Sequence, residues 1–303
     1  HPAVPGAWSR QGSAAVFTPS QAYPPDTPLT VKAARVPGGR SRVVAHATTP
    51  RGSLVRAQQI LADLHYLPLS TSATELTTPA EQAAAVYDPP PGKFRWRFPN
   101  IPSTLRHDWA PGRVSEVMRG AVLAFQHHEH LAPDAAVGQY TWQALIEADL
   151  RHDMDPDKYS YVSADLNLPQ RLSVWVEGKT ELTSPVNGGV AGAPTPLGTY
   201  PVYDRYDSTT MSGTNPDGSH YNDPGVPWVS YFSGGSAVHG FPRASYGSPQ
   251  SVGCLELPIA TAKVVYHLIS YGTLVHVSGP QSSESTAAKP AAPSQSHGGG
   301  STD

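Results

Sequence analysis

Cys254 is the one cysteine of this 303-residue chain, and it lies in Gln250-Ser251-Val252-Gly253-Cys254-Leu255-Glu256-Leu257. Small residues precede the thiol and an apolar, strand-like run follows, so the backbone there can approach a substrate closely. Fifteen residues earlier, His239 closes the run Gly234-Gly235-Ser236-Ala237-Val238-His239 and Gly240 follows, the pattern of a strand entering a long loop. A free thiol is mostly protonated at neutral pH; an imidazole beside it accepts that proton and later returns it to a leaving amine. Backbone N–H groups around Gly253 and Cys254 would then hold the oxyanion of a tetrahedral intermediate. In the intervening loop, Arg243 with Tyr246 offers a cation for a substrate carboxylate. Plainer readings stand beside these. Free cysteine is among the most buried residue types and often only fills a core, and charged loop residues are commonly just solvated.

Elements that could position such a pair are legible from periodicity. After Ser53, Leu54, Val55, Ile60, Leu61 and Leu64 fall at helical spacing, as do Val114 to Phe125 and Tyr140 to Leu150. Three short helices thus predict a small bundle. After about residue 160 the period becomes 2: Leu172, Val174 and Val176 alternate with Ser173 and Trp175 before Gly178 turns the chain. Further strands are expected at Gly198 to Tyr206, Val226 to Phe232, Ala237 to His239 and Leu274 to Val277, with one helix over Pro258 to Ile269. Residues 1–50 read as a Pro- and Gly-punctuated spacer with short strands around Leu29 to Val36. Residues 280–303 are too poor in apolar side chains to offset ordering entropy and are expected to be disordered.

Composition excludes several classes. Lys+Arg 21 against Asp+Glu 24 gives a net charge of -3 without charge blocks, so nucleic acid is not an expected partner. No run approaches the length of a membrane span. A single cysteine forms neither an internal disulfide nor a multi-cysteine metal site. His127-His128-Glu129-His130 lacks the His-Glu-x-x-His spacing and reads as a solvated helix end, so no metal is expected. Phe94-Arg95-Trp96-Arg97-Phe98 could stack on sugars or bases, but the alternation suits a strand with one buried face. Asn215 to Asp223 starts like a calcium loop yet lacks the closing glutamate, and reads as a turn.

Residues of about 171 to 278 resemble the YkuD-type L,D-transpeptidase catalytic domain of bacterial cell-wall enzymes. The resemblance rests on His239-Gly240, then Ser251-Val252-Gly253-Cys254 after a loop, with Ala193-Pro194-Thr195-Pro196-Leu197-Gly198-Thr199-Tyr200 and the aromatic, Gly-Gly, His segment Trp228 to His239. It implies a β-rich sandwich with cysteine and histidine at the mouth of a cleft. Cys254 would be the nucleophile and His239 the general base and acid. Ser251 would orient the imidazole through its carbonyl, and Gly253 would shape the oxyanion site. Gly240, Arg243, Tyr246, Trp228 and Tyr231 are the substrate-binding candidates. The implied reaction opens the L-to-D bond between residues three and four of a peptidoglycan stem peptide and passes the acyl group to an amine of a second stem, giving a 3-3 cross-link. No cofactor is implied, and carbapenem-type β-lactams would acylate the same thiol. Two positions depart from the commonest pattern: Val252 stands where His usually precedes Gly-Cys, and Glu256 where Arg or Asn is usual.

Leu54 to Leu67 and Arg119 to Leu145 resemble the two halves of a three-helix peptidoglycan-binding domain, through Gln58-Gln59-Ile60-Leu61, Leu64-His65-Tyr66, Ala124-Phe125-Gln126, Val137-Gly138 and Thr141-Trp142-Gln143-Ala144-Leu145. The expected organisation is α+β multidomain: spacer 1–50, peptidoglycan-binding-like helical domain 51–155 with an insert at 69–113, catalytic domain 160–279 and tail 280–303. Stem peptides and glycan are the expected partners, and export to the cell wall or periplasmic space of a bacterium the expected localisation. An L,D-carboxypeptidase, with water as acceptor, and a non-catalytic wall-binding protein are the alternatives.

Overall fold

The computed structural model describes residues 6–19, 24–33 and 42–280. The expected tail from residue 281 lies outside the described residues, as do parts of the expected spacer. In chain order the first elements are β1 (Gly6–Gln11), β2 (Ala14–Pro19), β3 (Pro28–Ala33), β4 (Arg42–Thr48), α1 (Leu54–Asp63), β5 (Leu69–Thr71), α2 (Pro79–Ala85), β6 (Phe94–Trp96), α3 (Ser103–His107), α4 (Glu116–His128) and α5 (Gln139–Arg151). There follow β7 (Ser160–Asp165), β8 (Arg171–Val176), β9 (Lys179–Pro185), β10 (Gly198–Pro201), β11 (Asp204–Thr214), β12 (His220–Ser233), β13 (Ser236–Gly240), β14 (Leu255–Leu257), α6 (Ile259–Leu268) and β15 (Leu274–Ser278). The chain separates into two units: residues 1–162, 174–182 and 267–274, and residues 163–173, 183–266 and 275–303.

In the first unit, α1, α4 and α5 form where helical periodicity predicts them. Ile60, Leu61, Val117, Met118, Phe125, Trp142 and Leu145 meet in a common core, and α1 is buried on every face from Arg56 to Ala62. Ser115 caps α4 by accepting the Met118 N–H at 3.3 Å. The stretch 69–113 adds elements that periodicity does not reveal. There Thr78 and Glu81 close a reciprocal capping box over α2, with Pro79 in its first turn. The strand reading of Phe94 to Phe98 corresponds to β6, which pairs with β5 and packs Phe94 and Trp96 on the core while Arg95 is exposed. His127 stacks on Tyr271 at 3.5 Å between ring centroids, and His128 hydrogen-bonds Tyr66. Among the described residues no group of His, Cys, Asp or Glu is arranged to hold a metal ion, and no helix is long and apolar enough to cross a membrane.

The segment from β7 to β15 is β-rich, with a five-stranded sheet in the order β10-β15-β7-β8-β9 and a four-stranded sheet in the order β11-β12-β13-β14. The latter carries the site. Its β11 and β12 form a hairpin longer than the sequence suggests, with Asp204↔Tyr231 at one end and Thr214↔His220 at the other. The turn read over Asn215 to Asp223 is confined to its tip, where the Asp217 carboxylate accepts the Ser219 N–H at 2.9 Å. One face of this sheet buries Val226, Val229 and Ala237, with Met211, Tyr231, Phe241 and Cys254 packed against them.

Candidate active site

His239 and Cys254 are brought together by a parallel strand pair. β13 and β14 run side by side in the register Val238↔Leu255, His239↔Glu256, Gly240↔Leu257. Parallel neighbours need a long connection, most often a helix. Here residues 241–253 make it as a loop, and buried side chains hold that loop in place. Asn187, with no exposed surface, donates from Nδ2 to the Ser245 carbonyl at 3.1 Å and accepts the Gly247 and Ser248 N–H groups at 2.9 and 3.3 Å. Its backbone exchanges two hydrogen bonds with Glu256. The chain therefore arrives at Cys254 on a fixed path.

The backbone of Cys254 is tied twice. Ser251 Oγ donates to the Cys254 carbonyl at 2.6 Å, and Thr195 Oγ1 reaches the same oxygen at 3.4 Å while accepting the Gly189 N–H at 2.9 Å. Gly253, at φ +98°, occupies a conformation that L side chains rarely adopt, so the turn into Cys254 needs glycine. The thiol is partly exposed and donates to the Gly235 carbonyl at 3.8 Å.

Protonation follows from burial. Desolvation pushes the Cys254 thiol up to about 11; the Ala237 N–H eases this and the Glu256 carboxylate adds to it. His239 is 3% exposed, and desolvation lowers its pKa, opposed by its bond to Gly240 and by Glu256. A neutral imidazole and a protonated thiol therefore share one cavity wall. Nδ1–H donates to the Gly240 carbonyl at 3.1 Å, which assigns the lone pair to Nε2. The carbonyl that meets the ring is thus that of Gly240; Ser251 instead offers its carbonyl to the Val190 N–H at 3.0 Å.

Two cavities flank the thiol. One, of about 480 Å³, is lined by Cys254, Gly253, Ala193, Pro194, Gly235 and Tyr231 among others. The smaller, of about 210 Å³, is lined by Cys254, His239, Phe241, Arg243, Glu256 and Asp223 among others. Met211, Tyr221, Val252 and Cys254 belong to both walls. Tyr246 stands behind Arg243, donating to the Phe241 carbonyl at 2.5 Å and accepting the Arg243 N–H at 3.2 Å. Gly240 is buried where a Cβ would lie 3.1 Å from Ile259 Cα and 3.2 Å from Ala262, so α6 packs against bare backbone there. Trp228 lines neither cavity; its ring packs on Tyr266 at 5.6 Å beneath the Lys263 ammonium.

The mobile chemistry, the fixed backbone and the cavities all fall in one stretch of chain. Residues 160–277 match the YkuD family, the L,D-transpeptidase catalytic domain. No curated protein matches the chain. Among solved structures it is similar to an L,D-transpeptidase from Mycobacterium smegmatis, with 24% identity over 40% of this chain and 59% of that one, at a TM-score of 0.36. It is also similar to the catalytic domain of the E. faecium L,D-transpeptidase, with 27% identity over 39% of this chain and 95% of that one, at a TM-score of 0.36. A third is L,D-transpeptidase 3 from Mycobacterium tuberculosis in complex with a faropenem-derived adduct, with 22% identity over 40% and 60% of the two chains, at a TM-score of 0.37. The chain thus spans about three fifths of the length of the first of these relatives.

Residues outside the family signature complete the candidate site. Asn187 carries no sequence signal beyond a turn-like Asn-Gly-Gly. Thr195 is visible in its Thr-Pro context, but not as a partner of the Cys254 carbonyl. Met211, Tyr221 and Asp223 reach the cavities only because the hairpin is long.

Proposed function

We propose that this protein is an L,D-transpeptidase acting on peptidoglycan stem peptides outside the cytoplasmic membrane. The observation that carries the reading is that Cys254 and His239 line one cavity within the segment matching the L,D-transpeptidase family. His239 Nε2 takes the thiol proton as Sγ attacks the carbonyl carbon between stem residues three and four. Backbone N–H groups at Gly253 and Cys254 hold the oxyanion. The intermediate collapses to a thioester, and the imidazolium gives its proton to the departing D-amino acid. An amine of a second stem then attacks the thioester, His239 accepts the amine proton and returns it to the leaving thiolate, and a 3-3 cross-link is formed. Because both groups rest as neutral species, proton transfer is part of the attack rather than a step completed before substrate arrives. The helical region is assigned the task of holding glycan, and carbapenem-type β-lactams are expected to acylate Cys254.

The test is intact-protein mass after incubation with a carbapenem, beside Cys254→Ala and His239→Ala. An adduct is expected on the wild type, slower without His239 and absent without Cys254. A folded wild type that forms no adduct overturns the reading. Incubation with stem peptides and an acceptor amine then separates cross-linking from hydrolysis.

A further inference from the structure

Two residues after the nucleophile stands a carboxylate, Glu256, and the fold gives it two consequential neighbours. The register of β13 and β14 sets it beside His239, and such partners send their side chains to the same face of the sheet. Both line the smaller cavity with Cys254. Glu256 is 4% exposed, and a bare carboxylate so deep is strongly disfavoured. Arg243 answers it with a fork: Nε donates to Oε2 and Nη2 to Oε1, each at 2.8 Å, and Nη2 also reaches the Gln250 carbonyl at 3.2 Å. The guanidinium lies 4.7 Å from the centroid of the Phe241 ring, which itself meets His239 edge-on at 6.0 Å.

We propose that Glu256 is a positioning residue for His239, and that Arg243, forked onto it, is the counter-charge that sets how strongly the carboxylate acts on imidazole and thiol. The inference rests on Cys254 and His239 being the reacting pair. Each charge has a definite sign of effect. A carboxylate beside the couple favours the imidazolium and opposes the thiolate, and a guanidinium does the reverse. Charged and titratable groups sharing the cavity with the imidazole are Glu256 next to it on β14, Arg243 from the loop, Asp223 and Tyr221 from β12, and the thiol itself. Glu256 and Asp223 support the imidazolium and Arg243 opposes it. With the fork intact the two nearest fields oppose each other, so a proton can pass between Cys254 and His239 without either group being locked in one state. A strand carboxylate clamped by a loop cation thereby stands at the position where the family commonly has Arg or Asn.

The test is the pH dependence of Cys254 alkylation by iodoacetamide in the full chain, with thermal melting to verify folding. Glu256→Gln leaves the guanidinium bare, and the alkylation midpoint should fall by about 1 pH unit. Arg243→Met should move it upward, and the double variant should return close to wild type. A midpoint that is unmoved or raised in Glu256→Gln, or a double variant that keeps the shift, overturns the proposal. If Arg243→Met does not fold, the other two variants decide. Alkylation needs no transpeptidase substrate, so a wild type that alkylates yet forms no carbapenem adduct would count against the proposed function alone.

Discussion

Asn187→Ala tests whether the 241–253 loop holds the reacting pair in place. The wild-type side chain makes three hydrogen bonds to the loop from a fully buried position. At about 1 kcal/mol each, these bonds set a ceiling near 3 kcal/mol. Two of the loop groups keep a second partner: the Gly247 N–H also meets the Val186 carbonyl at 3.2 Å, and the Ser245 carbonyl accepts the Gln250 amide at 3.0 Å. That lowers the expected local destabilisation to about 2 kcal/mol, or roughly a 30-fold rise in the open population of the loop. Amide hydrogen exchange read by mass spectrometry or NMR should show Gly247 and Ser248 exchanging faster by that factor, while amides of β8 stay as they were. Carbapenem acylation should slow by at least ~10-fold, because a small misplacement of reacting groups is costly. The reasoning is refuted if the two amides exchange as in wild type. It is equally refuted if they loosen while acylation proceeds at its normal rate.

Other expectations follow from protonation and backbone. His239 has a lowered pKa, so acylation should fall off only as the pH drops below the ordinary histidine range, and a rate profile of wild type against His239→Ala reads this directly. The same shift means that the unfolded chain binds more protons in acid, so this group's contribution to stability declines as pH falls below 6.5. Gly253→Ala puts a side chain at φ +98° at a cost of about 1–3 kcal/mol; loss of the adduct with little change in melting of the rest of the chain is the expected result. Burial raises Asp155 from 3.8 to about 7, so stability is lost progressively as the pH rises between those values and the penalty is complete above about 7. Asp155→Asn should therefore melt higher than wild type at pH 8, with the gain vanishing at pH 4; equal melting at pH 8 would contradict it.

The pairing of Cys254 with His239 at one cavity and most strands of the 160–277 segment were legible because their signals are local. Period 2 marks β8, Gly-Gly before Ala237 marks the turn into β13, and proline before Ile259 marks the start of α6. The helices α1, α4 and α5 were legible for the same reason. What local patterns could not reveal depends on partners far along the chain. Asn187 meets residues some sixty positions away, and Thr195 meets Cys254. The fork between Arg243 and Glu256 was hidden in another way: each residue was noticed, one as a loop cation and the other as a departure from a pattern, but only the β13–β14 register unites them. Apart from the alternation that marks β6, the insert at 69–113 was opaque because α2, α3 and β5 are too short to show a period.

The loop from Phe241 to Gly253 joins two strands whose spacing is already fixed by the sheet. The register sets Glu256 opposite His239 and leaves Cys254 just before β14, so the approach of thiol to imidazole depends on the strand pair and the final turn into Cys254, and little on the path taken by the rest of the loop. Reaction geometry and cavity wall can then vary separately: a graft that keeps the Asn187 anchor points and the final Ser251-to-Cys254 turn could redraw the rim without moving the reacting atoms. For an engineer, the connection is the place to seek new acceptors, and the strands are the place to leave alone.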